Sequence, residues 1–132
     1  MRSHTFRLKP GQDLFDSIEE FVKQNTIEAG CVLSSVGSLT HATLRLANRS
    51  AYNDYEGHFE IVSMTGTVSI YGSHIHVAIS DGDGVTLGGH LVSGCKIYTT
   101  AEIVLLELDD VIYKREMYEN DSGYEELTVH KK

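Results

Sequence analysis

Tryptophan is absent from these 132 residues, proline occurs once and cysteine twice. Cys31 and Cys95 are too few and too far apart to build a disulfide framework or a thiolate zinc ribbon. Each sits among Val, Leu, Ile and Gly, so buried free thiols are expected, with Cys95 a minor candidate metal ligand because it follows His90 closely. Basic residues are scarce too: 11 Lys and Arg against 19 Asp and Glu leave a formal net charge of -8. Nucleic-acid affinity comes largely from Lys and Arg releasing phosphate counterions, so an acidic domain needs a strongly asymmetric basic face to hold DNA. The basic residues are scattered, with only Lys114-Arg115 and Lys131-Lys132 adjacent, so charge argues against DNA unless folding or oligomerisation assembles such a face. No apolar run approaches the roughly 20 residues that span a bilayer. Met1-Arg-Ser-His-Thr-Phe-Arg-Leu8 also lacks the apolar core of a secretion signal, so a cytoplasmic location and no membrane partner are expected.

What is present is an ordinary globular composition, 41% hydrophobic and 23% charged. A chain of this length buries roughly two thirds of its unfolded surface, and a single domain over residues 1–132 is expected. Thr5 to Leu8 alternates as a short strand that Lys9-Pro10-Gly11 breaks. Asp13 is a good N-cap, and Leu14, Phe15, Ile18, Phe21 and Val22 follow at helical spacing, which predicts an amphipathic helix over 13–25. Cys31 to Val36 reads as a buried strand. Beyond Gly37 the text is strand and turn: Ala42 to Leu46, Phe59 to Met64 and Thr67 to Tyr71 meeting at Gly66, Ile75 to Ile79, Lys96 to Leu108 and Val111 to Tyr118, with Tyr124 to Val129 as a possible ordered tail. The fold class expected is α+β, a mostly antiparallel sheet with one main amphipathic helix packed on it.

Chemistry concentrates between residues 72 and 91. Side chains at i and i+2 on a strand share a face, so His74 and His76 can offer two imidazoles to one centre while Ile75 and Val77 turn the other way. If the turn through Asp81-Gly-Asp-Gly84 folds the next strand back, His90 completes a three-imidazole set with positions left open for water or substrate. The plain alternative is two solvent-facing strand histidines and a third in a glycine turn. Asp81-Gly-Asp-Gly84 is a hairpin turn and not a calcium loop, because Thr86 and Val92 stand where further carboxylate ligands would be needed. Ser34, Ser35 and Ser38 lie in no Gly-x-Ser-x-Gly elbow, and Gly84 to Gly89 lacks the Gly-Lys-Ser/Thr ending of a phosphate loop.

Several ordered motifs carry a family resemblance. Arg7-Leu-Lys-Pro-Gly-Gln-Asp-Leu14, Val36-Gly-Ser-Leu-Thr-His-Ala-Thr-Leu-Arg45, Gly57-His-Phe-Glu-Ile-Val-Ser-Met-Thr-Gly66, His74-Ile-His76 and Gly88-Gly-His-Leu91 together resemble the plants-and-prokaryotes-conserved (PPC) domain over nearly the whole chain. The resemblance implies an α+β sheet domain that associates as a homotrimer. Plant members join it to AT-hook segments and use it to recruit partners, while stand-alone prokaryotic members are commonly labelled DNA-binding proteins. No Arg-Gly-Arg-Pro hook core occurs here, and His58 stands where plant members carry arginine. The histidine set resembles the prokaryotic branch.

Neutral imidazoles suit zinc and related divalent ions, and three of them with an open position resemble a catalytic site more than a closed structural one. Proton handling at such a site would need a carboxylate, for which Glu56, Glu60 and Glu102 are candidates, Glu102 because its strand should neighbour His90. Each is otherwise an ordinary solvated or ion-paired carboxylate. Arg45 is the best-placed binder of an anion or substrate, or equally the source of an intersubunit ion pair. Two function classes follow: a trimeric binding module directed at DNA or a regulatory partner, and a metal-dependent enzyme, hydrolase or lyase, acting on a small polar molecule.

Overall fold

A computed structural model describes residues 1–132. Strand β1 (Arg2–Leu8) leads into helix α1 (Leu14–Gln24), followed by β2 (Gly30–Arg45), β3 (Asn53–Val68), β4 (His74–Ser80), β5 (Thr86–Leu91), β6 (Lys96–Glu107), β7 (Val111–Met117) and β8 (Glu125–Lys131). The architecture is α+β with a mostly antiparallel sheet, as the sequence leads one to expect.

Helix α1 forms where the apolar stripe sits. Asp13 is extended, and its side chain accepts the Asp16 backbone N–H at 2.9 Å, which satisfies one of the orphan donors of the first turn. The other carboxylate oxygen accepts the N–H groups of Gly94 and Cys95 at 2.7 and 3.1 Å, tying the helix start to the loop before β6. Leu14, Ile18 and Val22 are fully buried against the sheet, and burial of each such side chain stabilises the fold by up to about 1.5–3 kcal/mol.

The main sheet runs β1-β6-β2-β3-β4-β5, and β2 pairs again with β5, through Leu44 with Leu91 and Arg45 with His90. The sheet therefore curls until its far edge meets its middle, and the inward side chains Leu39, Leu44, Ile75, Ile79, Leu91, Ile97 and Ile103 fill the enclosed core. Strands β7 and β8 form a separate hairpin. It is fastened to the body where the Tyr113 N–H donates to the Glu28 carbonyl at 2.9 Å and where the buried Ser69 hydroxyl lies 2.8 Å from the Tyr113 carbonyl.

Three expectations change. Gly37 and Gly66 do not end strands: β2 and β3 each run unbroken for 16 residues. Both glycines are sites of close backbone approach, since a Cβ at Gly37 would stand 2.3 Å from the Thr100 carbonyl and one at Gly66 2.2 Å from the His74 carbonyl. The stretch Cys31 to Val36 is a strand but not a buried one, for Leu33 and Val36 are exposed and Cys31 is half-buried. Finally, β6 pairs with β1 and β2 and does not neighbour β5.

Candidate metal centre

Strand β4 buries Ile75 and Val77 and turns His74 and His76 outward, as the two-residue period requires. The turn after it is built by Asp81, whose carboxylate accepts the N–H groups of Asp83 and Val85 at 2.9 and 3.0 Å, with Gly84 at φ 79°. That geometry returns β5 along β4, and the register sets His76 opposite His90. On the other side of β5, His90 stands opposite Arg45, and on the other side of β4, His76 stands opposite Thr65. Thr65, His76, His90 and Arg45 thus form one row across four strands.

The imidazoles converge. Ring centroids lie 4.9 Å apart for His74 and His76, 5.0 Å for His74 and His90, and 5.7 Å for His76 and His90. One ligand-capable nitrogen from each falls within 4.8 Å of the others, so the three could hold a metal ion. The Nε2 atoms of His74 and His76 are 3.2 Å apart, close to the roughly 3.4 Å that separates two nitrogens on a tetrahedral zinc with bonds of about 2.1 Å. His90 Nδ1 is buried and has no hydrogen-bond partner, a cost that ligating a cation through that atom would offset. The remaining histidines are otherwise engaged: His4 with Glu107, His41 with Thr40, His58 with the Tyr98 ring and His130 with Glu116.

Electrostatics favour the neutral form of His74 and His90. Burial first, then the Arg45 charge and the neighbouring imidazoles, lower the His90 pKa to about 4, and burial followed by His76, Arg115 and Arg45 lowers that of His74. Metal ligation needs the unprotonated ring, the form that these shifts favour at His74 and His90.

Beside the rings opens a cavity of about 850 Å³ lined by His74, His90, Arg45, Arg49, Arg115 and Glu126, among other polar residues. Arg115 and Glu126 come from the C-terminal hairpin, and the sequence reading did not single them out. Arg115 is held in place by donating to the Thr67 hydroxyl at 2.9 Å, and Thr67 is the strand partner of His74. Glu126 is the carboxylate whose field reaches His74, raising its pKa against the larger opposing effects.

The carboxylates expected from the sequence lie elsewhere. Glu56 is exposed on β3 opposite His41, 3.7 Å from its Nε2, and nine residues along the strand from Thr65. Glu60 pairs with Ser38 and Ser80. Glu102 sits on β6 between Arg7 and Val36, with the Thr100 hydroxyl 3.2 Å from its carboxylate. Cys95 is outside the cluster: its thiol is fully buried against the Thr43 backbone, and burial pushes its pKa up to about 11.

A curled antiparallel sheet, a single helix laid on it, and a trihistidine cluster at the seam define a small α+β sheet domain with a candidate metal centre on its surface. The family model of the Plants and Prokaryotes Conserved (PCC) domain, the family written PPC above, matches residues 1–109, and the chain belongs to that family. Among curated proteins, "Bifunctional protein GlmU" of Synechococcus sp. (strain JA-3-3Ab) is 44% identical over 131 residues, 99% of this chain and 21% of its own length. The chain thus spans about a fifth of the length of the curated relatives it matches first. Among solved structures, a hypothetical protein from Salmonella cholerae-suis (Salmonella enterica) superposes with a TM-score of 0.96 at 40% identity, covering 98% of this chain and 94% of that one. A protein from Archaeoglobus fulgidus described as metal-containing superposes with a TM-score of 0.81 at 28% identity, covering 97% and 94%.

Proposed function

We propose that residues 1–132 form a single homotrimeric cytoplasmic domain whose function centres on a divalent ion, zinc by the chemistry of its ligands, held by His74, His76 and His90. One observation carries this reading: three imidazoles from two strands meet within 4.8 Å while every other histidine has a separate partner. The metal-containing description of the Archaeoglobus relative supports it. When bound, the ion supplies Lewis acidity and acidifies coordinated water. The chain's own residues then set the use of the centre. Arg45, opposite His90 in the register, turns it toward an anionic ligand, and Glu126 is the carboxylate placed to hold or take a proton beside His74. Glu56 and Glu102 have no such placement, so they serve as surface carboxylates.

These features favour a small-molecule site over a nucleic-acid one. A net charge of -8 repels a phosphate backbone, and Arg45, Arg49 and Arg115 face a cavity and do not run as a stripe along a surface. DNA or a regulatory partner is the second reading, resting on the customary label of stand-alone family members. The trimer finds support in Leu33, Val36, Val62 and Tyr98, large apolar side chains left exposed on β2, β3 and β6.

Equilibrium dialysis against zinc tests the centre: one ion bound per chain is expected, and no binding at saturating zinc overturns it. Gel shifts across a salt series test the second reading, where binding at low salt that falls steeply with added salt would restore DNA. Light scattering that returns a monomer mass would remove the trimer.

A further inference from the structure

Resting on that metal-centre reading, we infer that the C-terminal hairpin makes the centre a receptor for a small oxyanion, a carboxylate or a phosphate, clamped between Arg115 on β7 and Arg45 on β2. Three observations lead there. First, the two guanidiniums stand on opposite sides of the imidazoles. Arg45 faces His90 across the β2–β5 pairing, and Arg115 is tethered to Thr67, the partner of His74 across β3–β4. Second, neither Arg45, Arg49 nor Arg115 is engaged in an ion pair, although Glu125 and Glu126 line the same cavity. Arg45 and Arg115 are half-buried and Arg49 is exposed at the rim; together the three unmatched guanidiniums outnumber the two carboxylates before any divalent ion adds its own charge. In a protein that is acidic overall, this collects 3 of the 11 basic side chains around one opening and focuses the field for an anion. Third, Tyr124 is the sole hydrophobic residue of the lining, and the volume of about 850 Å³ falls within the range of small-molecule sites.

The guanidinium fork suits the geometry required, since it donates two parallel N–H groups to a planar carboxylate or two edges of a phosphate. Thr67 takes one donor of Arg115 and fixes the fork's direction, leaving the others for the ligand. Arg115 and Glu126 both come from the C-terminal hairpin, so the hairpin supplies the guanidinium and the carboxylate that set which oxyanion is accepted. A ligand of this class would place one oxygen group on the arginines and another toward the imidazoles, and the Glu126 carboxylate in the same lining would repel anions that crowd it.

The test is isothermal titration of the zinc-loaded protein with malonate and, separately, with inorganic phosphate. Saturable binding of at least one is expected, and the tighter of the two identifies the carboxylate or phosphate source. Arg115→Met keeps the aliphatic stem beside Gly72 but removes the charge together with the Thr67 hydrogen bond; it is expected to weaken binding at least about 10-fold with zinc content unchanged. Arg45→Met makes the same test on the other strand, where the structure shows no hydrogen bond to lose, so a folding defect in one variant leaves the other decisive. Unchanged affinity in both overturns the clamp, as does zinc-loaded protein that binds neither anion. If the wild type takes up no zinc yet binds an anion in an Arg115-dependent way, the clamp stands and the metal reading falls.

Discussion

Replacing Gly66 by alanine tests how the sheet holds the histidines. A Cβ at that position would lie 2.2 Å from the His74 carbonyl oxygen and 2.7 Å from the Ile75 Cα, about 1 Å inside ordinary contact. Neither neighbour is a flexible side chain, so relief requires β3 and β4 to separate locally at the pairs Thr65–His76, Gly66–Ile75 and Thr67–His74. Overpacking of this kind costs about 1–3 kcal/mol, and for a chain of this size each kcal/mol lowers the melting temperature by about 3–5 °C. The displaced backbone carries His74 with it, and disturbing the support of a metal ligand weakens affinity about 10- to 100-fold. Thermal unfolding and zinc titration with a competing chelator read both effects. Gly82→Ala is the control, because nothing lies within 4 Å of its added carbon, and it should change neither quantity measurably. Gly66→Ala that melts with wild-type protein and binds zinc equally would refute the reasoning.

Asp13→Ala removes a helix cap and two further acceptor contacts, so denaturant unfolding should show a loss of about 2–4 kcal/mol, while a loss under 1 kcal/mol would mean water replaces the carboxylate freely. His90 has its folded pKa lowered to about 4 against about 6.5 unfolded. The unfolded chain therefore takes up more protons between those values, and metal-free protein should lose stability as pH falls from about 6.5 to about 4, with no further loss from this group below that. His90→Gln should flatten that slope in melting curves with chelator present, and an unaltered slope would contradict the assignment. Cys95→Ser should keep full zinc content, whereas His76→Ala should weaken zinc at least about 100-fold, beyond the cost of losing a ligand's hydrogen-bonded support. Zinc lost in the Cys95 variant would show the ligand set to be different.

Local signals carried most of what the sequence revealed. Asp13 ahead of Leu14, Ile18 and Val22 announces the helix because cap and stripe lie within ten residues, and Asp81-Gly-Asp-Gly84 announces the hairpin that brings His90 to His76. The histidine cluster was legible for the same reason: one alternation and one turn suffice to place it. The failures are long-range. Gly37 and Gly66 read as breaks because glycine punctuates turns, but what requires them is another strand's carbonyl, invisible in the local text. Glu102 is expected on a strand beside His90, whereas β6 joins the sheet between β1 and β2. Arg115 and Glu126 reach the site only because the hairpin docks through Glu28, Ser69 and Thr67, contacts that span more than 40 residues and leave no periodicity to read.

The most direct measurement is anomalous diffraction at the zinc absorption edge from crystals of protein purified without added ions. A single peak per chain within about 2.1 Å of one nitrogen each from His74, His76 and His90 is the expected result. A map with no peak among those rings, or with zinc bound elsewhere on the chain, would contradict it.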